Sequence, residues 1–310
     1  MSGYVLFDSL LAPYIITDMD IKQLKNIIQT TFPGLSINNF SILGDGKYAY
    51  ACLVNDKIVF KIPKLEDEYM NDQDKEVNIL QHLANKLCVR IPEILYSGNS
   101  IDGKHIIGES FLNGITYTQE LHDSFDETTK SDILQQIGRI MRNLHDCAPS
   151  DPVWLNRSVE TYIDNLDAFN KYCDFNVRNA VPKDIINSAD NLAEKYKQIS
   201  SEYPATPVFV HCDLHFGNMI FDCESKRITG LIDFGAAHYA EPARDMHYYY
   251  GTGAKDILTG YGDNGDQFLP IRQQFQSVIN MMCNIQEDLQ NHKLPDNNIK
   301  KLKLCLSLPQ

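Results

Sequence analysis

Short runs rich in β-branched and aromatic residues open the readable pattern of the chain: FSILG at 40–44, YAYACLV at 48–54 and KIVFKI at 57–62. GDGK and ND separate them with turn chemistry. A helical spacing follows over 72–87, where Val77, Leu80, Leu83, Ala84 and Leu87 share a face. Pro92 closes that stretch, and EILYSG and KHIIGES read as two further strands. Five strands with one inserted helix predict a small α+β lobe. Past Asn113-Gly114 the pattern turns helical. Residues 130–146 put Ile133, Leu134, Ile137, Ile140, Met141 and Leu144 on one stripe. Residues 184–200 read as a second helix, and 267–290 as a third, with Ile271, Phe275, Val278, Met282, Ile285 and Leu289 in register. Between them lies a compact β-rich island, 207–233, holding VFV, HCDLHFGN, MIFD and ITGLIDF. The change of pattern near residue 112 predicts two domains, 1–112 and 113–310, without a repeat or a low-complexity linker.

A chain of 310 residues, 43% hydrophobic, has enough apolar surface for two such cores. Asp and Glu number 41 against 28 Lys and Arg, a formal net charge of −13. That balance excludes a sequence-independent nucleic-acid binder, which needs a basic face. The helical part carries net −9 and the β-rich part −4, which suits a cationic partner as well as a plain solvated surface. No apolar run approaches the ~20 residues of a spanning helix. The opening MSGYVLFDSLLAPYIITDMD lacks a basic n-region and carries Asp8 and Pro13, so a cytoplasmic protein without membrane attachment is expected. Eight scattered cysteines without a C-x-x-C pair read as reduced and mostly buried.

The chemistry concentrates in His211-Cys212-Asp213-Leu214-His215-Phe216-Gly217-Asn218 and, 20 residues after Asp213, Asp233 of Ile232-Asp233-Phe234-Gly235. Phosphoryl transfer from a nucleotide needs a carboxylate that orients the acceptor and oxygen ligands for Mg²⁺. Asp213 and Asn218 supply one carboxylate and one neutral oxygen from a single loop, and Asp233 adds a second carboxylate at the end of the next hairpin. Such a set matches the preference of Mg²⁺ for few carboxylates plus phosphate oxygens and water. In the first lobe, Lys61 lies on a strand from which a cation reaches α- and β-phosphates, and Glu76 lies on the following helix, where it can pair with Lys61. Gly44-Asp45-Gly46 joins the first two strands, where a backbone turn can cover phosphates.

On these residues the sequence resembles the aminoglycoside phosphotransferase family, over nearly the whole chain. Val59-Phe60-Lys61-Ile62-Pro63-Lys64 and Glu76-Val77-Asn78-Ile79-Leu80 look most like its 2″-phosphotransferase branch. HCDLHFGN matches the family's H-x-D-x-x-x-x-N loop, and IDFGAAHYAEPARDM matches its second signature, with Pro242 and Asp245 in place. The resemblance implies a bilobal, protein-kinase-like α+β fold with the active site in the interlobe cleft. It implies Asp213 as catalytic base, Asn218 and Asp233 as Mg²⁺ ligands, and Lys61 with Glu76 as the phosphate anchor. It further implies that the backbone from Ser110 to Leu112 hydrogen-bonds the purine of ATP or GTP. Three positions depart from the pattern. Ala49 stands where a protein kinase has its third loop glycine, and Ala236 and Glu241 stand where the family often has Asp. The helix over 267–290 carries Glu287 and Asp288 without a firm match to aminoglycoside contacts.

Several single residues carry a second reading. His211 and His215, four apart, carry a zinc pattern, but the β-rich flanks put them in a loop where His211 braces backbone. Tyr248, Tyr249 and Tyr250 read as a helix packed on the core rather than a ligand cage. Cys212 reads as a spectator facing the core, because Asp213 would repel a thiolate. Asn156-Arg157-Ser158 is a glycosylation pattern without a secretory signal. Three functions remain: a phosphotransferase for an aminoglycoside-like polycation, conferring antibiotic resistance; the same chemistry on a macrolide, choline, amino alcohol or sugar; or an inactive kinase-like binding module. The acceptor side is expected to include Glu241, Glu287 and Asp288.

Overall fold

The computed structural model describes residues 19–46, 49–64, 73–100, 102–147 and 159–307. The N-terminal segment weighed as a leader, Lys47 and Tyr48 of the first turn, and Asn156 lie outside the described residues. In chain order the elements are α1 (Ile21–Thr31), β1 (Phe40–Asp45), β2 (Ala49–Val54), β3 (Ile58–Pro63), α2 (Gln73–Leu83), β4 (Ile94–Asn99), β5 (His105–Ser110) and β6 (Ile115–Thr116). They continue with α3 (Gln119–Asp123), α4 (Glu127–Cys147), α5 (Tyr162–Tyr172), α6 (Phe175–Ala180), α7 (Lys183–Glu202), β7 (Val208–Val210), β8 (Met219–Asp222) and β9 (Arg227–Leu231). The last are β10 (His238–Ala240), α8 (Thr252–Tyr261), α9 (Leu269–Gln290) and α10 (Asp296–Leu306). The chain forms two compact units, 1–77 with 92–111 and 78–91 with 112–310.

The first unit is built on an antiparallel sheet in the order β1-β2-β3-β5-β4. Strict alternation in β2 turns Tyr50, Cys52 and Val54 inward. They meet Phe60, Ile62 and Ile106 from the sheet and Leu24 and Ile28 from α1. The strand pattern did not reveal α1. Its signal is local: Asp20 accepts the Gln23 N–H, and the Gln23 side chain returns to the Asp20 N–H. That reciprocal cap begins a helix whose apolar stripe covers the sheet.

In the second unit, residues 78–91 are held by backbone. Arg90 N–H donates to Thr229 O at 3.0 Å, and Leu231 N–H donates to Arg90 O at 2.9 Å. α5, α6, α7, α9 and α10 share one apolar core containing Phe169, Val177, Tyr196, Phe275, Met282 and Leu302. α4 and α8 approach closely through two glycines. A Cβ at Gly138 would lie 2.2 Å from Ile257 O, and one at Gly260 would lie 2.1 Å from Gln135 O. Gly138→Ala should therefore destabilise by about 1–3 kcal/mol despite the better helix propensity of Ala, because backbone must move. Thermal melting checks this: an unchanged midpoint would show that the helices separate freely. Only Cys52, Cys173 and Cys305 are buried, while Cys88 and Cys223 are exposed, so the expectation of mostly buried thiols fails. These sulfurs sit on solvent-facing turns and helix ends as well as in the cores.

Candidate active site

Four short strands place the site loop. β7 ends at Val210 and β8 begins at Met219, so residues 211–218 form the connection. β9 ends at Leu231, and residues 232–237 lead into β10. Met219 pairs with Leu231, and Ile232 N–H donates to Asn218 O at 3.1 Å. This ladder brings Asp233 to the end of the strand pair from which Asn218 emerges, 15 residues earlier in the chain.

Asp213 and Asn218 are in direct contact. The Asn218 Nδ2 group donates to Asp213 O at 2.8 Å and to Asp213 Oδ2 at 2.9 Å. With both amide protons engaged, Asn218 Oδ1 keeps its lone pairs for a ligand. A neutral amide oxygen and the exposed Asp233 carboxylate form the hard-oxygen set that suits Mg²⁺ rather than zinc. The two candidate zinc histidines use their rings on backbone instead. His211 Nε2 is 3.1 Å from Ile232 O, and His215 Nδ1 accepts the Gly217 N–H at 2.9 Å.

The loop is held in an unfavourable turn. Cys212 has φ +68° and Asp233 has φ +68°, the left-handed region that costs a side-chain-bearing residue of order 1–3 kcal/mol. Asp245 fixes the first. Its carboxylate, fully buried, accepts the His211 N–H at 3.0 Å and the Cys212 N–H at 2.6 Å. His145 Nε2 lies 3.0 Å from the same group. Burial works against the Asp245 charge, but His145 and the His211 N–H outweigh it and hold the carboxyl below the usual range. Tyr249 adds a brace by donating its hydroxyl to Leu214 O at 2.9 Å.

Sequence reasoning matched Asp245 to a signature without giving it a task, and Glu160 escaped it. Glu160 Oε2 meets His238 Nε2 at 3.0 Å, and His238 Nδ1 lies 2.9 Å from Ala236 O. Both ring nitrogens face acceptors, so the ring is an imidazolium. Burial opposes its charge, yet Cys212 and Glu160 raise the His238 pKa to about 10. Burial likewise opposes the Glu160 charge, but Arg244 and His238 bring the carboxyl down to about 2. Cys212 is half-buried beside His238, not turned into the core, which corrects the sequence reading. Tyr248–Tyr250 likewise follow a helical turn as irregular chain and are not themselves a helix.

In the first unit Lys61 Nζ is 2.6 Å from Glu76 Oε1 and 3.6 Å from Glu109 Oε1. Lys61 is 15% exposed, while both carboxylates are 4% exposed. Glu109 was missed; its sequence signal is an acid within the apolar run of β5. The Gly46 N–H donates to Ala49 O at 3.1 Å, closing the β1–β2 turn, and Gly44 sits where the pairing register shifts. The Ser110 N–H donates to Glu93 O at 2.8 Å, and its hydroxyl accepts the Glu93 N–H. Strand pairing thus engages the Ser110 donor expected to meet the purine. Leu112 is the first residue of the second unit after the sheet.

The acceptor-side acids divide. Glu241 is buried, 7% exposed, and takes bonds from Gln276 at 2.7 Å, Tyr196 at 3.0 Å and Asn165 at 3.4 Å, with Arg272 at 3.6 Å. Burial pushes its pKa up, and it belongs to a polar core between helices; the expectation of an outward contact is corrected. Glu287 is exposed and Asp288 half-buried near the end of α9, where Asn298 donates to Asp288 at 2.7 Å.

The model of the family described as "Phosphotransferase enzyme family" matches residues 40–266. Among solved structures, the GDP and kanamycin complex of APH(2″)-IIIa is similar at a TM-score of 0.77 and 21% identity, covering 91% of this chain and 97% of that one. The streptomycin–ATP ternary complex of APH(2″)-IIa matches at 0.66 and 18%, covering 92% and 96%. The apoenzyme of macrolide 2′-phosphotransferase MphH from Brachybacterium faecium matches at 0.64 and 14%, covering 92% and 99%. At these identities the likeness establishes a kinase-like α+β fold.

Proposed function

The chain belongs to the phosphotransferase enzyme family, and on that premise we propose that it moves the γ-phosphoryl group of ATP or GTP to a hydroxyl of a small polycation of the aminoglycoside type. The observation that carries this reading is the Asn218 amide, bound to Asp213 through nitrogen while its oxygen remains to ligate. Asp213 takes the proton of the acceptor hydroxyl. The acceptor oxygen forms its bond to phosphorus as the bond from the γ-phosphorus to the diphosphate oxygen breaks, and the nucleoside diphosphate leaves. Asn218 and Asp233 would hold Mg²⁺, which, when bound, neutralises charge on the phosphate oxygens. Lys61, held by Glu76 and Glu109, anchors the α- and β-phosphates, and Gly44 and Gly46 let backbone approach them. The first unit is then the nucleotide-binding part, and the second the catalytic and acceptor-binding part.

A polycation would bind through acids of the second unit, with the exposed Glu287 and the half-buried Asp288 the candidates that remain. Exposed ion pairs are screened by salt, so the acceptor KM should rise with ionic strength. Neutralising both residues as Gln and Asn should raise KM by roughly twofold to tenfold and leave kcat nearly unchanged. Steady-state kinetics on an aminoglycoside, with nucleotide saturating, tests this directly. A salt-independent KM removes the polycation. One observation favours a less cationic acceptor such as a macrolide: Ala236 and the buried Glu241 withdraw two acids from the positions where the family often has Asp. A panel of aminoglycosides, macrolides and amino alcohols decides between the two.

A further inference from the structure

Asp213 is held by more than its own loop. Tyr248 donates its hydroxyl to Asp213 Oδ1 at 2.5 Å, while Oδ2 takes the Asn218 amide at 2.9 Å. His215 stands on the same side. Its Nδ1 accepts the Gly217 N–H, which leaves the ring proton on Nε2, 3.7 Å from Asp213 Oδ2. The His215 ring meets Tyr248 edge to face at 5.4 Å, and His247 packs against Tyr248 at 3.9 Å between centroids. Two imidazoles therefore clamp the phenol ring, and its hydroxyl has one direction in which to point. Burial and the Asp213 charge push the Tyr248 pKa well up, so the group remains a donor throughout the working range. The adjacent Tyr249 uses its hydroxyl on the backbone of the same loop. The pair divides the work: one tyrosine fixes the chain and the other the carboxylate.

A carboxylate turns easily about χ2, whose profile is broad and two-fold. Asn218 restrains one oxygen only. We propose that Tyr248 is a positioning residue for phosphoryl transfer: its hydroxyl, bound to the second oxygen, sets the rotation of the Asp213 carboxylate and so the direction from which the acceptor proton is taken. This rests on the reading of Asp213 as base. The bond acts on the orientation of the reacting carboxylate, so its loss is read in kcat rather than in either KM.

The test is Tyr248→Phe in the full-length protein, with nucleotide and acceptor both varied. kcat should fall about tenfold, and both KM values should stay within about twofold, the signature of lost alignment rather than lost contact. In an Asp213→Ala background the same substitution should change the residual kcat by less than about twofold, since the effect passes through the carboxylate. A single-variant kcat near that of the parent, an acceptor KM that rises to account for the loss, or an undiminished fall in the Asp213→Ala background overturns the proposal. Asp213→Ala turning over at the parental rate would instead remove the base assignment, and this proposal with it. Melting curves report whether each variant is folded. If Tyr248→Phe is recovered unfolded, Tyr248→Met, which also lacks the donor, takes its place in the same cycle.

Discussion

Asp233→Ala is expected to lower Mg²⁺-dependent phosphoryl transfer by at least roughly 10²- to 10³-fold, the order associated with losing one electrostatic stabiliser of the transition state. The residue is exposed, so truncating its side chain opens no cavity in the core. Its backbone conformation, at φ +68°, suits Asp better than Ala, and the stability cost should be about 1 kcal/mol. The variant should therefore be folded and inactive. Asn218→Ala should be folded as well, with a smaller loss, since water can replace a neutral ligand. Circular dichroism and turnover measured at a series of Mg²⁺ concentrations separate the two effects. Turnover of Asp233→Ala near the parental value, with Mg²⁺ as the sole divalent ion, would refute the metal assignment.

Asp245→Ala should fail differently, through the fold. It strips a buried carboxylate from two backbone N–H groups and from His145, and the left-handed turn at Cys212 loses its anchor. Breaking a buried ionic network from one side costs about 3–5 kcal/mol, a large share of a domain's total stability. The melting midpoint should fall by on the order of 10 °C, and activity should fall with it. The pH dependence has a definite sign. The Asp245 carboxyl lies below its ordinary value of 3.8 in the folded protein, so its contribution is present above that value and lost as pH falls below it. Asp245→Asn should lose stability at neutral pH and show a shallower acid limb than the parent. Melting between pH 3 and 7, compared for parent and Asn variant, checks this. Parallel acid limbs would show that Asp245 does not carry the charge.

Much of this site was legible in the sequence because its chemistry is local. Asp213 and Asn218 lie five residues apart in one loop, and a single hairpin brings Asp233 beside them, so spacing alone groups the three. Lys61 and Glu76 join across one strand-to-helix connection, and their ion pair forms in the structure. The supports were not legible, because they come from far along the chain. Asp245 reaches back 34 residues to the His211 N–H, Tyr248 reaches back 35 to Asp213, and Glu160 meets His238 across 78. No periodicity encodes such pairings. Glu241 was misread for a related reason: an acid beside a signature proline looks like a surface contact until Arg272, Gln276 and Tyr196 enclose it. Among the helices, strong stripes gave α4, α7 and α9 nearly to their ends. α1, α5 and α10 were not read although each has 11 residues, the length of α2: α1 carries a capping box and a clear apolar stripe, whereas α5 and α10 bury few apolar positions.

The most direct measurement follows the label from γ-³²P-labelled ATP and GTP onto a panel of aminoglycosides, macrolides and amino alcohols, with parent and Asp213→Ala run side by side. The proposed chemistry predicts label on one hydroxyl of an acceptor with the parent, and a rate lower by roughly 10²- to 10⁴-fold with Asp213→Ala, the range of a lost general base. Transfer by Asp213→Ala at the parental rate would contradict it.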